Sequence, residues 1–155
     1  MKPQIGEPAP DFTASMVGGP QGEGVLTLSQ LRGKPVALVF YPRDNTPGCT
    51  IQACALRDGW DEIAEKIQVF GVSTDSIASH RKFISKRNLP YPLIADEDRA
   101  IVEAYGVWGE KSFMGKKFMG IERTTFVIGA DGRIQAVLEK VSPPKHLELL
   151  LNAIA

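Results

Sequence analysis

Residues 36–54 read VALVFYPRDNTPGCTIQAC, an apolar run followed directly by the start of a helix. The six apolar residues end at Pro42, a pattern typical of a central strand that is buried on both faces. Thr46 is a favourable N-cap and Pro47 suits the first helical position, so the stretch predicts a strand, a short loop and a helix. This order places the helix start at the carboxyl edge of a sheet, where open α/β sheets bind ligands.

Cys49 occupies the third position of this predicted helix, where backbone N–H groups have no partner within the helix. The helix dipole adds partial positive charge at the same place, and both features favour the thiolate form of the side chain. Because the thiolate is the nucleophilic form, Cys49 is a candidate nucleophile. Cys54, the only other cysteine of the chain, follows five residues later.

Size and composition predict one soluble domain covering residues 1–155, with 43% hydrophobic residues. Eighteen basic residues balance eighteen acidic ones, so the net charge gives no general attraction to nucleic acid or to an anionic membrane. No secretory signal is visible at the N-terminus, and the longest apolar run is too short to cross a bilayer. We therefore expect a cytoplasmic protein, in which a pair of cysteines is more often catalytic than structural.

Strands and helices alternate in the first part of the sequence, and an antiparallel hairpin comes late, around Asp131-Gly132. This pattern predicts an α/β fold with a central mixed sheet and helices on both faces. Two short strands joined by a turn-rich segment at 17–24 precede the first central strand. The remaining predicted elements are a strand at 69–73, helices over 47–66, 76–84, 98–105 and 144–153, and hairpin strands at 125–128 and 134–138.

Two cysteines could also serve several other chemistries. A structural zinc site needs ligands at a spacing that two cysteines and two scattered histidines, His80 and His146, do not show. A thioredoxin-type exchange site normally has two residues between its cysteines, and here there are four. A cysteine hydrolase needs a histidine base, which His80 or His146 could supply in space, although no local signature supports this. Burial as inert small apolar residues is the remaining structural alternative.

The spacing of the cysteines limits how they can pair. Residues five apart in a regular helix have Cα atoms ~8.7 Å apart, and a disulfide needs them closer than ~7 Å. If Cys49 and Cys54 form a disulfide, the helix is either broken between them or unwinds during the reaction. We expect unwinding, at a cost within the usual range of local opening.

The motif Pro42-x-x-x-Thr46-x-x-Cys49 resembles the active site of peroxiredoxins, and Cys54 five residues later resembles the peroxiredoxin Q group, also called bacterioferritin comigratory protein. The similarity covers nearly the whole chain. It includes GEPAPDF at 6–12, GVSTD at 71–75, GVWGEK at 106–111 and RTTFVI at 123–128.

This resemblance implies a thioredoxin-like fold with an N-terminal strand extension and a thiol-dependent peroxidase activity on hydrogen peroxide and organic hydroperoxides. Cys49 would be oxidised to a sulfenic acid and Cys54 would resolve it as an intramolecular disulfide. Thr46 would hydrogen-bond between thiolate and peroxide, Pro42 would shield the pocket from water, and Arg123 would supply a second cationic contact. The resemblance also implies recycling by thioredoxin, a monomer, a role in antioxidant defence and redox homeostasis, and no metal or cofactor.

Two rival functions stay open, a thiol–disulfide exchange enzyme and a non-enzymatic redox sensor or chaperone. The proposed roles have simpler alternatives too, because Thr46 can act as a plain N-cap, Pro42 as a strand terminator and Arg123 as a solvated residue. Gln52, one turn after Cys49, either holds Arg123 or faces solvent, and we expect solvent.

The segment 109–120 contains a glycine-and-lysine pattern that superficially resembles a phosphate-binding loop. It has five residues between the glycines where four are required, and lysine where serine or threonine is needed, so this function is rejected. The tripeptide Phe-Met-Gly occurs at 113–115 and again at 118–120. We expect a loop that packs these apolar residues on the core, with a flap bordering the active site as the alternative.

Overall fold

The computed structural model describes residues 2–19, 22–140 and 142–154. Its strands are β1 (Thr13–Val17), β2 (Gly24–Thr27), β3 (Val36–Phe40), β4 (Gln68–Ser73), β5 (Leu93–Ala95), β6 (Trp108–Phe113), β7 (Lys116–Ile121), β8 (Thr124–Ile128) and β9 (Ile134–Glu139). Its α-helices are α1 (Pro47–Asp58), α2 (Trp60–Ile63), α3 (Ile77–Arg87), α4 (Ala100–Ala104) and α5 (His146–Ile154). No helix within these described ranges combines the length and the apolar character needed to cross a membrane.

Seven strands form one sheet in the order β2-β1-β5-β4-β3-β8-β9. The pairs β3–β4 and β4–β5 are parallel, and the other pairs are antiparallel, so the predicted mixed sheet is confirmed. All five residues of β3 are buried, as the apolar run from Val36 predicts for a central strand. The carboxyl ends of the parallel strands β3, β4 and β5 meet at one edge, and the loop that leads into α1 leaves from this edge.

Alternate side chains of β3 enter two separate cores. Leu38 and Phe40 pack on one face with Ile101 and Val102 of α4. Ala37 and Val39 pack on the other face with residues of α1, α3 and α5. Helices therefore cover both faces, and the predicted thioredoxin-like arrangement is confirmed.

The helix predicted over 47–66 is two helices separated at Gly59. α1 ends at Asp58, and the four-residue α2 follows. A Cβ atom at residue 59 would lie 2.6 Å from Cδ2 of Leu147 in α5. The glycine therefore lets α5 pack closely against the junction, a tertiary contact that periodicity along 47–66 does not reveal.

The segment predicted as a loop at 109–120 is an antiparallel hairpin of β6 and β7. Its turn is formed by Met114 and Gly115, whose φ angles of 51° and 80° match the two-residue turns that join such strands. Met114 is 87% exposed, and Phe118 and Met119 are about half exposed. The expectation that the apolar residues pack on the core is therefore wrong for Met114, Phe118 and Met119, and the Phe113 side chain lies outside the described part of the structure.

Candidate active site

The first turn of α1 brings Cys49 to a buried position at the edge of the sheet. Thr46 precedes the helix with extended backbone, Pro47 is the first helical residue, and Cys49 is the third, as predicted. The Cys49 side chain is 2% exposed. The Thr46 hydroxyl makes no capping bond and instead donates to the Arg43 carbonyl over 3.0 Å. Thr46 is therefore the N-cap residue, as predicted, but its hydroxyl does not cap the helix.

Arg123, directly before β8, lies against this turn. Its Nη2 donates to Cys49 Sγ over 3.4 Å, and its Nη1 donates to Gln52 Oε1. A Cβ atom at residue 48 would lie 3.2 Å from Nη2, so Gly48 provides the room for the guanidinium. A neighbouring arginine and a helix N-terminus both favour a thiolate, and Cys49 has both.

Gln52 is buried at 2% exposure and holds Arg123, so the expectation that it faces solvent is wrong. Residues three apart lie on the same face of a helix, and Cys49 and Gln52 therefore both face β8. The three-residue spacing of Cys49 and Gln52 is visible in the sequence. The position of Arg123 in space, which explains why Gln52 is buried, is not. The Gln52 Nε2 atom is buried without a hydrogen-bond partner among the described residues.

His146, at the start of α5, is a second buried polar group on the Arg123 side. Its Nε2 lies 2.7 Å from the hydroxyl of buried Thr125, and its Nδ1 has no partner in the described part of the chain. Burial lowers the pKa of His146 to about 4, with a further contribution from the positive charge of Arg123. His146 is therefore neutral at neutral pH, and the charge beside Cys49 on this side comes from Arg123.

The wall behind Cys49 is tightly packed. The cavity there measures about 10 Å³ and is lined by aromatic side chains that include Tyr41, Phe83 and Tyr91. This volume is at the lower limit for one water molecule, so a hydroperoxide does not fit behind the sulfur. Burial raises the pKa of Tyr91, so its hydroxyl stays protonated.

Cys54 lies in the same unbroken helix as Cys49. Both thiols are free, and Cys54 is half-buried. Five residues of regular helix keep their Cα atoms ~8.7 Å apart, beyond the reach of a disulfide. Of the two alternatives for pairing, a break in the helix between the cysteines is therefore excluded, and unwinding stays a prediction.

A cleft of about 630 Å³ opens on the other side of Arg123. The segment 106–112 forms one wall, and Glu122 and Lys140 contribute to the rest. Lys111 donates from Nζ to the Ile121 carbonyl over 2.9 Å, and burial followed by the charge of Arg123 lowers its pKa. The β6–β7 hairpin therefore borders the site through its base, and its function as a flap stays a prediction.

A thioredoxin-like fold that presents a helix-start cysteine to a half-buried arginine defines the peroxiredoxin class of thiol-dependent peroxidases. The AhpC/TSA family profile matches residues 5–137, and the chain belongs to this family. The enzyme class implied by the sequence motif, a thiol-dependent peroxidase, is thereby confirmed.

The chain is similar to named members of this class over almost its whole length. It is 42% identical to peroxiredoxin Bcp of Escherichia coli over 150 residues, which cover 96% of this chain and 94% of that protein. A peroxiredoxin Q variant from Xylella fastidiosa has a TM-score of 0.88 at 31% identity, over 98% of this chain and 95% of that one. The bacterioferritin comigratory protein of Xanthomonas campestris, described with alkyl peroxide reduction activity, has a TM-score of 0.86 at 31% identity, over 97% of both chains.

Proposed function

We propose that this peroxidase reduces hydrogen peroxide and organic hydroperoxides with Cys49 as the attacking residue and Cys54 as the resolving one. The observation that carries the proposal is the 3.4 Å contact of Arg123 Nη2 with Cys49 Sγ at the start of α1. The alkyl peroxide activity named for the Xanthomonas relative supports organic hydroperoxides as substrates. We further propose a cytoplasmic monomer that a thioredoxin-type dithiol protein reduces.

In the first step the Cys49 thiolate attacks one peroxide oxygen, and the O–O bond breaks. Cys49 becomes a sulfenic acid, and the leaving oxygen takes a proton to become an alcohol or water. Negative charge moves from sulfur to oxygen during this step, so Arg123 and the free N–H groups of the first helical turn stabilise the transition state. The Thr46 hydroxyl orients the peroxide, and Pro42, half-buried after β3, limits access of water.

In the second step the first turns of α1 unwind, and the Cys54 thiol attacks the sulfenic sulfur. A disulfide forms and water leaves. The reductant then restores both thiols by thiol–disulfide exchange through a mixed disulfide. The half-buried position of Cys54 supports this order, because the reductant gains access when the helix opens.

Intact mass after one equivalent of peroxide tests this assignment. We expect the wild type to lose the mass of two hydrogens, Cys54→Ser to gain one oxygen, and Cys49→Ser to remain unchanged. An added oxygen in Cys49→Ser would contradict the role of Cys49. An unchanged wild type that nevertheless exchanges disulfides with protein substrates would favour the exchange enzyme.

Sustained turnover separates an enzyme from a redox sensor. With thioredoxin, thioredoxin reductase and NADPH, we expect continuous NADPH consumption that depends on peroxide and on Cys49. A single stoichiometric oxidation without further consumption would contradict thioredoxin recycling.

A further inference from the structure

Asp44, in the loop between β3 and α1, is the centre of a buried hydrogen-bond cluster separate from Arg123. Its Oδ1 accepts from the Tyr41 hydroxyl over 2.6 Å. Its Oδ2 accepts from the Ser79 hydroxyl over 2.8 Å and lies 2.7 Å from Nδ1 of His80. Its backbone N–H donates to Asp75 Oδ2 over 2.8 Å. These contacts fix the loop to β3, to the end of β4 and to α3.

The partners of His80 determine the number of protons in this cluster. His80 is fully buried, and its Nε2 lies 2.9 Å from the Ile94 carbonyl, which only accepts, so Nε2 carries a proton. Its Nδ1 faces the Asp44 carboxyl group. A neutral imidazole has one donor nitrogen and an ionised carboxylate has none, so this short contact needs one additional proton between the two groups. Wherever that proton resides, the Asp44–His80 pair has no net charge.

The groups around the pair are consistent with this shared proton. The Asp75 carboxylate faces it and accepts from Ser73 Oγ over 2.7 Å. Burial, followed by the charge and hydrogen bond of Asp44, raises the pKa of Tyr41 far above its ordinary value, so Tyr41 remains a donor. Ligand atoms of Asp44, Asp75 and His80 lie within 4.8 Å of one another, but each residue already has hydrogen-bond partners within the cluster.

The Asp44–His80 pair is connected to Cys49 in two ways. Tyr41 donates to Asp44 and also lines the cavity behind Cys49. Along the chain, Asn45 follows Asp44 in a left-handed conformation with φ of 63°, and Thr46 then begins the helix. The loop between the anchored Asp44 and the helix start is therefore short and has a fixed turn.

We propose that Asp44 and His80 act as a positioning pair for Cys49, a role that rests on the proposed function. The shared proton cancels a carboxylate charge that would otherwise disfavour the Cys49 thiolate, and the hydrogen bonds hold the start of α1 in its reactive conformation. Loss of His80 leaves a buried, unpaired carboxylate, which acts on the ionisation of Cys49 as well as on the loop.

A mutant cycle in the Cys54→Ser background tests the pair, because that background reports only the attack on peroxide. The variants are His80→Phe, Asp44→Asn and their combination. The readouts are the second-order rate constants for Cys49 oxidation by hydrogen peroxide and for its alkylation by iodoacetamide at pH 7. Ile134→Val, a buried substitution on the distant strand β9, is the stability control.

We expect His80→Phe to lower both rate constants about tenfold, because the charge of Asp44 is no longer compensated. Asp44→Asn stays within about threefold of the parent, because an amide accepts from Tyr41 and donates to neutral His80. The double variant recovers to about the level of Asp44→Asn, although the packing of His80 is still lost.

A double variant no faster than His80→Phe would overturn the proposal, since it would assign the effect to packing alone. Unchanged rates in His80→Phe would overturn it as well. Should His80→Phe fail to fold, His80→Gln replaces it in the same cycle with the same expected recovery. Failure of the parent to react with peroxide while it still alkylates would contradict the proposed function, and the alkylation rates would still test the pair.

Discussion

His80 and His146 are both completely buried, and they differ in every partner. His80 lies between a carboxyl group and a carbonyl, two acceptors that together require a shared proton. His146 lies beside a hydroxyl, which can donate or accept, and beside the cation Arg123, so it is neutral. The number of protons shared by a buried histidine and its partners therefore depends on those partners and not on burial alone.

The two histidines lie near two different polar clusters beside the start of α1, His146 near Arg123 and His80 in contact with Asp44. On the Arg123 side the cluster has a net positive charge directed at Cys49, while on the Asp44 side the shared proton leaves the Asp44–His80 pair neutral. Cys49 therefore lies beside the cation Arg123, while the Asp44–His80 pair behind the helix start carries no net charge.

Removing the positive charge of Arg123 should cause the largest loss of activity. We expect Arg123→Met to lower kcat/KM for peroxide by about 10²–10³-fold, the usual loss for a group that stabilises transition-state charge. Arg123→Lys should recover only part of this, because an ammonium lacks the fork that contacts Cys49 and Gln52 together. Arg81→Met, at an exposed position of α3, is the control. Full activity of Arg123→Met would contradict the role of Arg123 as the cation that assists Cys49.

Low pH should reduce the free energy of unfolding, because His146 is buried in its neutral form. Its pKa is lowered on folding, so the unfolded chain binds more protons between pH 6.5 and 4. The stability from neutral His146 is complete above pH 6.5 and falls by about 3 kcal/mol as pH drops to 4. Urea unfolding at pH 7 and pH 4 measures this loss, which His146→Gln should remove and His80→Gln should not. If His146→Gln loses as much stability between pH 7 and pH 4 as the wild type, other groups cause the loss.

The contact between Gln52 and Arg123 should have a smaller effect. We expect Gln52→Ala to lower kcat/KM about tenfold, equivalent to ~1.4 kcal/mol, because Arg123 loses the acceptor that orients it. Ile51→Ala, at the neighbouring exposed position of α1, should be close to wild type. Comparable losses in both variants would indicate a general effect on the helix.

Gly48→Ala should produce the smallest change. The added methyl group would lie 3.2 Å from Arg123 Nη2, so the guanidinium shifts slightly, and kcat/KM falls about threefold. Stability should not fall, because alanine favours helix over glycine by up to ~1 kcal/mol. Gly109→Ala, where no atom lies within 4 Å of the new methyl group, should keep full activity. A loss of stability without a loss of activity in Gly48→Ala would contradict this explanation.

The elements that carry the reactive cysteine were predictable because their signals are local. The apolar run at 36–41 predicts β3, and the Thr46-Pro47 pair predicts where α1 begins. By contrast, β5 has only three residues and shows no periodicity, and the β6–β7 hairpin mixes polar and apolar residues, with most of β7 exposed. Its positive-φ turn uses Met114, a residue type that does not signal such a turn.

The partners of Cys49 were less predictable, because they come from distant parts of the chain. Arg123 is 74 residues away and was identified only through the family resemblance. Gln52 lies in the predicted helix, yet its burial depends on the position of β8 and α5. His80 gave no local signal, because its two acceptors come from the β3–α1 loop and from β5.

The break at Gly59 limits α1 to 12 residues. This length determines how the helix can re-form after a disulfide between the two thiols is reduced. If residues 47–54 unwind to join the two thiols, a single turn is left, which is too short to persist or to template regrowth by its own propensity. Leu56, fully buried at that turn, then retains the register for the returning segment. Under the proposed mechanism, every catalytic cycle would then include a refolding step of α1. Because a helix of this size forms in about a microsecond or less, the rate of the unwinding and refolding of α1 is set by the breaking of side-chain packing.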